Sequence, residues 1–286
     1  MKNKRIVVTG GCGFVGSNLV DMLCEDKQNE VIVVDDLSSG NREYCRDDVK
    51  YYFSDFKYLL RCDFEKGVDV IFHLAAQARI QPSFEKPLHT CENNAFGTAI
   101  VCDFARRNGC MVVYAGSSSF YGGVYLNPYA FAKWQGEEVI KMYSKVYGVK
   151  AAIARFFNVY GPRNPLIGQY TPVVAIFEEQ KKENLPLTIV GDGEQRRDFT
   201  HVHDICSGLI HISKKDRGAE IFNLGTGRNY SINELADLFG GEKSYFPARP
   251  GEASVTLADI SKSTEIGWFP KHSLEEYVEQ KMREIV

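Results

Sequence analysis

The sequence predicts an α/β fold: a doubly wound parallel sheet followed by a smaller α/β lobe. Three observations carry that expectation. Short, nearly continuous apolar runs alternate with helical patterns through the first half. A glycine cluster sits where the first run meets the first helix. After residue 160 prolines punctuate the chain and the strand-like runs shorten.

Arg5–Thr9, Glu30–Asp35, Tyr51–Ser54, Asp69–His73, Met111–Ala115 and Lys150–Phe156 are rich in Val, Ile, Ala and aromatics, so they read as strands. Runs such as Val31–Val34 suit strands covered on both faces. Between them, Val15, Leu19, Met22 and Leu23 fall at i, i+4, i+7 and i+8 of a helix, and Thr98–Arg107 and Ala130–Tyr147 look alike. Beyond Asn158–Pro162 a helix is expected at Val173–Glu183. Leu187–Val190, Arg197–Val202, Glu220–Leu224 and Ser254–Leu257 read as strands. His203–Ser213, Ile232–Phe239 and Leu274–Arg283 read as helices. The expected division is a dinucleotide-binding domain at 1–160 and a substrate-binding lobe at 161–286, partly interleaved with it.

Composition narrows the function classes. The 286 residues carry 34 basic and 37 acidic side chains, a formal charge of −3, so no broad positive field invites nucleic acid. No run approaches the ~20 apolar residues of a membrane span. Met1–Arg5 is basic, but only Ile6-Val7-Val8 follows before Thr9-Gly10, too short for a secretory signal. The eight cysteines include no C-x-x-C pair, so zinc and redox motifs are not expected and no metal is assigned. Free thiols in a cytoplasmic protein are the expectation.

Strand Ile6–Thr9 runs into Gly10-Gly11-Cys12-Gly13-Phe14-Val15-Gly16 and then a helix. Glycines permit the tight turn and let main chain approach a pyrophosphate, which the helix N-terminus attracts. The second strand ends in Asp35-Asp36, nineteen residues after Gly16, where a carboxylate can hold the adenosine ribose. It would repel a 2′-phosphate, and Leu37-Ser38-Ser39-Gly40 supplies no compensating Arg, so NAD is expected rather than NADP. This is a Rossmann-type arrangement. A P-loop is excluded because no Gly-Lys-Ser/Thr occurs here.

Tyr129 and Lys133 stand at i and i+4 on one helix face, and Ser117-Ser118-Ser119 follow the fifth strand at the edge where open sheets bind ligands. A hydroxyl, a phenol and an ammonium together suit proton-coupled hydride transfer. Bringing a phenol from a pKa of ~10 to neutrality takes ~3 units, roughly 4 kcal/mol, which a neighbouring cation can contribute.

With these motifs, the chain resembles the extended short-chain dehydrogenase/reductase superfamily, and within it nucleotide-sugar epimerases of the UDP-glucose 4-epimerase type. The resemblance extends through His73-Leu74-Ala75-Ala76-Gln77-Ala78, Asn94–Thr98, Ser117–Gly122, Arg155–Arg163, Gly191–Phe199 and Arg249-Pro250-Gly251-Glu252. It implies that Gly10, Gly13, Phe14, Val15 and Gly16 hold the cofactor pyrophosphate. Asp35, Asp36 and Ser38 would hold the adenosine ribose, and Asp55 and Phe56 the adenine. Leu74, Ala75, Ala76, Asn94 and Phe157 would complete the NAD site, with Tyr129 as base, Lys133 on the cofactor ribose and Ser117 as catalytic hydroxyl. Ser117, Ser118, Asn158, Arg197, Arg249 and Glu252 would face the nucleotide sugar, the two guanidiniums suiting a diphosphate. Thr256, seven residues after Arg249, stands where the family sets sugar size. A small residue there implies room for an N-acetyl group or a uronate.

The family's 4,6-dehydratases place an Asp-Glu pair after the catalytic hydroxyl, and its decarboxylases a Glu. Here Ser118-Ser119 stand there, so inversion at C4 through a 4-keto sugar is the expected reaction. A nucleotide-sugar dehydratase, a keto-sugar reductase and a non-catalytic NAD-binding regulator are the alternatives. The resemblance also implies a homodimer through the helices at Thr98–Arg107 and Ala130–Tyr147. Ser117 and Tyr129 are twelve residues apart, about half the family's spacing, so the sugar pocket is expected to be more open.

Overall fold

The computed structural model describes residues 2–62, 64, 67–165 and 171–285. Its strands, in chain order, are β1 (Arg5–Thr9), β2 (Glu30–Asp35), β3 (Lys50–Phe53), β4 (Val70–His73), β5 (Met111–Ser117), β6 (Ala151–Phe156), β7 (Val159–Tyr160), β8 (Leu187–Val190), β9 (Arg196–Asp198), β10 (Thr200–His201), β11 (Glu220–Leu224), β12 (Asn229–Ser231) and β13 (Lys243–Phe246). Its helices are α1 (Phe14–Cys24), α2 (Ile80–Glu85), α3 (Pro87–Cys91), α4 (Gly97–Asn108), α5 (Ser119–Gly122), α6 (Pro128–Tyr147), α7 (Val173–Lys182), α8 (Val202–Ile212), α9 (Ile232–Phe239), α10 (Ser261–Glu265) and α11 (Leu274–Ile285).

Seven parallel strands form the main sheet in the order β11–β6–β5–β4–β1–β2–β3. Alternation along each strand covers both faces. Ile6, Val8, Val31 and Val33 pack with Leu19 and Leu23 of α1 and Ile205 and Leu209 of α8. Val7, Ile32, Val34 and Ile71 pack with Val101 and Phe104 of α4 and Ile140 of α6. Because both faces are dry, the central residues of these strands are apolar on both sides, which is why these runs were legible in the sequence. Among the described residues, no helix is long and apolar enough to cross a membrane.

A separate core fills the smaller lobe, where Val174 and Phe177 of α7, Ile189 of β8, Leu235 and Phe239 of α9 and Val278 of α11 meet. A capping box at Ser231 and Glu234 starts α9, each side chain accepting the other residue's N–H. Three two-stranded pairs, β7 with β10, β9 with β12 and β8 with β13, accompany this core.

Three sequence expectations change. Glu220–Leu224 is a strand as read, but it pairs with β6 as the seventh strand of the main sheet. The chain thus leaves the sheet after β6, builds part of the lobe, returns, and leaves again. Arg197–Val202 is not one strand: β9 pairs with β12 and β10 with β7, so the run breaks at Phe199 and Val202 already opens α8. Ser254–Leu257 makes only one bridge, Arg196 with Val255. There Thr256 points inward, while Val255 and Leu257 are half exposed.

Candidate active site

The cofactor end is built from main chain. Gly10 has φ +75°, and a Cβ there would stand 2.7 Å from the Ala75 nitrogen. A Cβ on Gly16 would overlap the Gly10 carbonyl, so α1 presses directly under the turn. The first backbone bond of α1 runs from the Ser17 N–H to the Gly13 carbonyl. The N–H groups of Phe14, Val15 and Gly16 therefore precede the helical ladder and are available to a pyrophosphate. Asp35 fixes the turn from behind, its two carboxylate oxygens accepting the Cys12 and Leu37 N–H groups at 2.9 and 2.8 Å. One lone pair per oxygen remains for ribose hydroxyls. Burial raises its pKa, which those two N–H groups oppose. Asp36 is exposed and accepts the Ser38 N–H. These features fit a bound dinucleotide.

The strand edge carries the chemistry. Ser117 ends β5, and its hydroxyl accepts from the Ser119 hydroxyl at 2.9 Å and N–H at 3.2 Å. Asn127 caps α6, accepting the Ala130 N–H at 2.7 Å, and this sets Tyr129 in the first turn. Burial raises the Tyr129 phenol, while the neighbouring Ser117 hydroxyl and the charge of Arg79 oppose that in part. Lys133 follows one turn later, buried, with its ammonium 4.2 Å from the centre of the Tyr114 ring. Burial lowers it to about 7, against the pull of Glu137. Glu137 continues the same face and holds Arg155 of β6 through two bonds of 2.6 and 2.9 Å. That guanidinium lies 3.6 Å from the Phe120 ring centre, so the ion pair props up α5 behind Ser117.

The third wall comes from the smaller lobe. Asn127 donates to the Gly251 carbonyl at 2.8 Å and Gln81 to the Pro250 carbonyl at 3.0 Å. The 249–252 loop is thereby tied to both α6 and α2, beside Tyr129. Arg197 of β9 reaches Glu252 at 3.5 Å, while Arg249 is exposed. Asn158 donates to the Asp198 carbonyl at 3.0 Å and the Thr256 hydroxyl at 3.3 Å. Asp198 is wholly buried and accepts from Thr226, Gly227 and Ala258, joining two loops to β9 under this wall.

The structure thus gathers Ser117, Tyr129 and Lys133 at one edge, with the glycine turn, Asp35 and the 74–76 loop along it. Asp55 caps the turn that begins at Phe56, accepting the Lys57 N–H at 2.8 Å. Phe56 packs 5.1 Å from His73, so its ring belongs to the core. Ser118 is tied through its N–H to the Phe156 carbonyl at 3.0 Å. Phe157 is buried and stacks beneath Tyr121, with ring centres 5.8 Å apart. Asn94 joins its amide to Gln77, accepting the N–H at 2.8 Å and donating to the carbonyl at 2.9 Å, and so shapes the 74–77 loop. Thr256 is buried under Asn158, its hydroxyl accepting from that amide.

Arg79, Glu137, Arg155 and Asp198 were not singled out as site residues. Glu137 had a signal, since Tyr129, Lys133 and Glu137 repeat at i+4. Asp198 sits in a quoted motif without a role. Nothing local marks Arg79 or Arg155. As to metals, His201, His203 and His272 bring ligand atoms within 4.8 Å. However, the rings of His201 and His272 stack at 4.2 Å, and His201 Nδ1 accepts the His203 N–H at 3.3 Å. A metal lies in the plane of each imidazole it binds, so stacked rings do not share one.

A doubly wound NAD-type sheet with Ser, Tyr and Lys at its carboxyl edge defines the extended short-chain dehydrogenase/reductase class. Residues 6–225 match the NAD dependent epimerase/dehydratase family, and the chain belongs to that family. A UDP-glucose 4-epimerase of Mycolicibacterium smegmatis is 33% identical, with 95% of each chain covered. The UDP-glucose 4-epimerase of Thermotoga maritima, solved with UDP-glucose, superposes with a TM-score of 0.89 at 31% identity, covering 98% of this chain and 97% of that one. The UDP-glucuronic acid 4-epimerase of Bacillus cereus, solved with UDP-glucuronic acid and NAD, gives 0.86 at 26% identity over 98% of both. The chain is thus an enzyme of an NAD-dependent family, and its cofactor is NAD.

Proposed function

We propose that this enzyme inverts C4 of a UDP-sugar. The observation that carries the reading is the Ser117-Ser118-Ser119 cluster. Elimination of water or loss of carbon dioxide calls for an acid or base beside the hydroxyl. Here the neighbouring hydroxyl donates to Ser117 instead, and Glu137 is committed to Arg155. What remains needs only Tyr129 to take the C4 hydroxyl proton and later return it, with Ser117 steadying the same oxygen. Bound NAD supplies the hydride acceptor and, once reduced, the donor, so no external oxidant is consumed. Lys133, lowered to about 7 by burial, gains favourable surroundings for its charge when ribose hydroxyls reach it and then favours the Tyr129 phenolate. Arg197, Arg249 and Glu252 grip the nucleotide diphosphate and ribose, and a loosely held keto sugar can turn between its two faces.

The test is product analysis with a panel of UDP-, dTDP- and GDP-sugars. An epimer of unchanged mass, formed without net NADH, is expected. A product lighter by water or carbon dioxide would sink the reading. Tyr129→Phe should lower turnover by about 10²–10⁴-fold while retaining NAD. The same reading includes a homodimer: Phe96 beside α4, and Met142 and Val146 of α6, are exposed apolar residues on adjoining helices. Light scattering reporting a monomer would remove that element.

A further inference from the structure

Arg79 ends the loop after β4 and stands immediately before α2. One turn along, the Ser83 hydroxyl accepts the Tyr129 N–H at 3.1 Å, so Arg79 is a helical turn from the base-bearing main chain. The same short helix carries Gln81, bonded to Pro250, and Phe84, against which Gly251 packs. Arg79 therefore occupies the corner where the cofactor loop, Tyr129 and the 249–252 loop meet. Its guanidinium is half-buried and makes no hydrogen bond or ion pair with any described residue. The other enclosed cations of this cleft are engaged: Lys133 on the Tyr114 ring, Arg155 with Glu137 and Arg197 with Glu252. Burial lowers the Arg79 pKa, and Tyr129 is the group whose charge opposes that.

A partly desolvated guanidinium without an anion is unfavourable unless a ligand provides one. On a hexose whose C4 hydroxyl meets Tyr129, the nearest place for an anion is the substituent of the adjoining carbon, C5. We infer that Arg79 is a specificity-determining residue that binds a carboxylate borne on C5, so that the sugar taken is a UDP-uronate in preference to a neutral UDP-hexose. This rests on the proposed C4 epimerase reading. A planar guanidinium matches a carboxylate with two parallel hydrogen bonds, which an ammonium does not reproduce.

The experiment compares UDP-glucuronate, UDP-glucose and UDP, by steady-state kinetics and by calorimetric binding, in the NAD-loaded wild type, Arg79→Met and Arg79→Lys. Arg79→Met should lower the affinity for UDP-glucuronate by about 10- to 100-fold, the size of a charge-assisted hydrogen bond, leave the affinity for UDP-glucose and UDP within a few-fold, and lower kcat/KM for UDP-glucuronate more than for UDP-glucose. Arg79→Lys should recover part of the loss. Equal losses for both sugars would mean that Arg79 serves Tyr129, and weaker UDP binding would mean that it holds the diphosphate. Either result overturns the inference. If the wild type epimerises no sugar of the panel above, the epimerase reading fails, while the binding comparison still decides the role of Arg79.

Discussion

In the cofactor half, ligand-facing groups are largely main chain: the Gly10 turn, the free N–H groups of α1 and the 74–76 loop packed against Gly10. In the half proposed to take the substrate, the candidate groups are side chains held by other side chains, as Thr256 holds Asn158 and Glu252 meets Arg197. A main-chain site leaves glycines at fixed spacing in the sequence. A side-chain site depends on partners brought together by the fold. The first is stiff and generic to the dinucleotide. The second can change from one pair of residues to another.

The sharpest way to break this comparison is Gly16→Val. Any Cβ there overlaps the Gly10 carbonyl, so the turn must open. Loss of co-purified NAD and of all turnover is expected, with a fall in stability of about 1–3 kcal/mol or more by chemical denaturation. Retained NAD would show that the turn is not the rigid half. Next is Glu137→Gln, which leaves Arg155 buried without its anion at the seam between β6, α5 and α6. Breaking a buried pair typically costs about 3–5 kcal/mol in stability, and replacing both partners by apolar residues should restore much of it. A wild-type denaturation midpoint for Glu137→Gln would mean that the seam is held elsewhere. Smallest is Thr256→Tyr. The larger ring must displace Asn158, and the ratio of N-acetylated to plain UDP-sugar turnover should fall by about tenfold. An unchanged ratio would separate Thr256 from sugar size.

The same contrast explains what could be read in advance. The positions of β1, β2 and β4–β6 follow from apolar runs, and the pyrophosphate turn from glycine spacing. Tyr129, Lys133 and Ser117 were legible because a helical repeat and a strand end place them. The partnership of β11 with β6 was not, since parallel pairing joins segments far apart in sequence. Val255 and Leu257 misled because their apolar side chains face outward, the inner positions belonging to Thr256 and Ala258 beneath Asn158 and Asp198. The packing of Phe157 behind Tyr121 was not legible, because it joins residues thirty-six apart in the chain. Arg79 carried no local mark, because its isolation from other charges is a property of the cleft.

The return of β11 to the main sheet has a consequence for synthesis. Until residue 224 has left the ribosome, β6 is an uncovered edge with open backbone donors and acceptors. The nascent cofactor half therefore waits, exposed to pairing with other chains, through the translation of nearly seventy further residues. A fragment cut after residue 160 would remain in that unfinished state permanently, so the two halves are separable as sites but not as folding units.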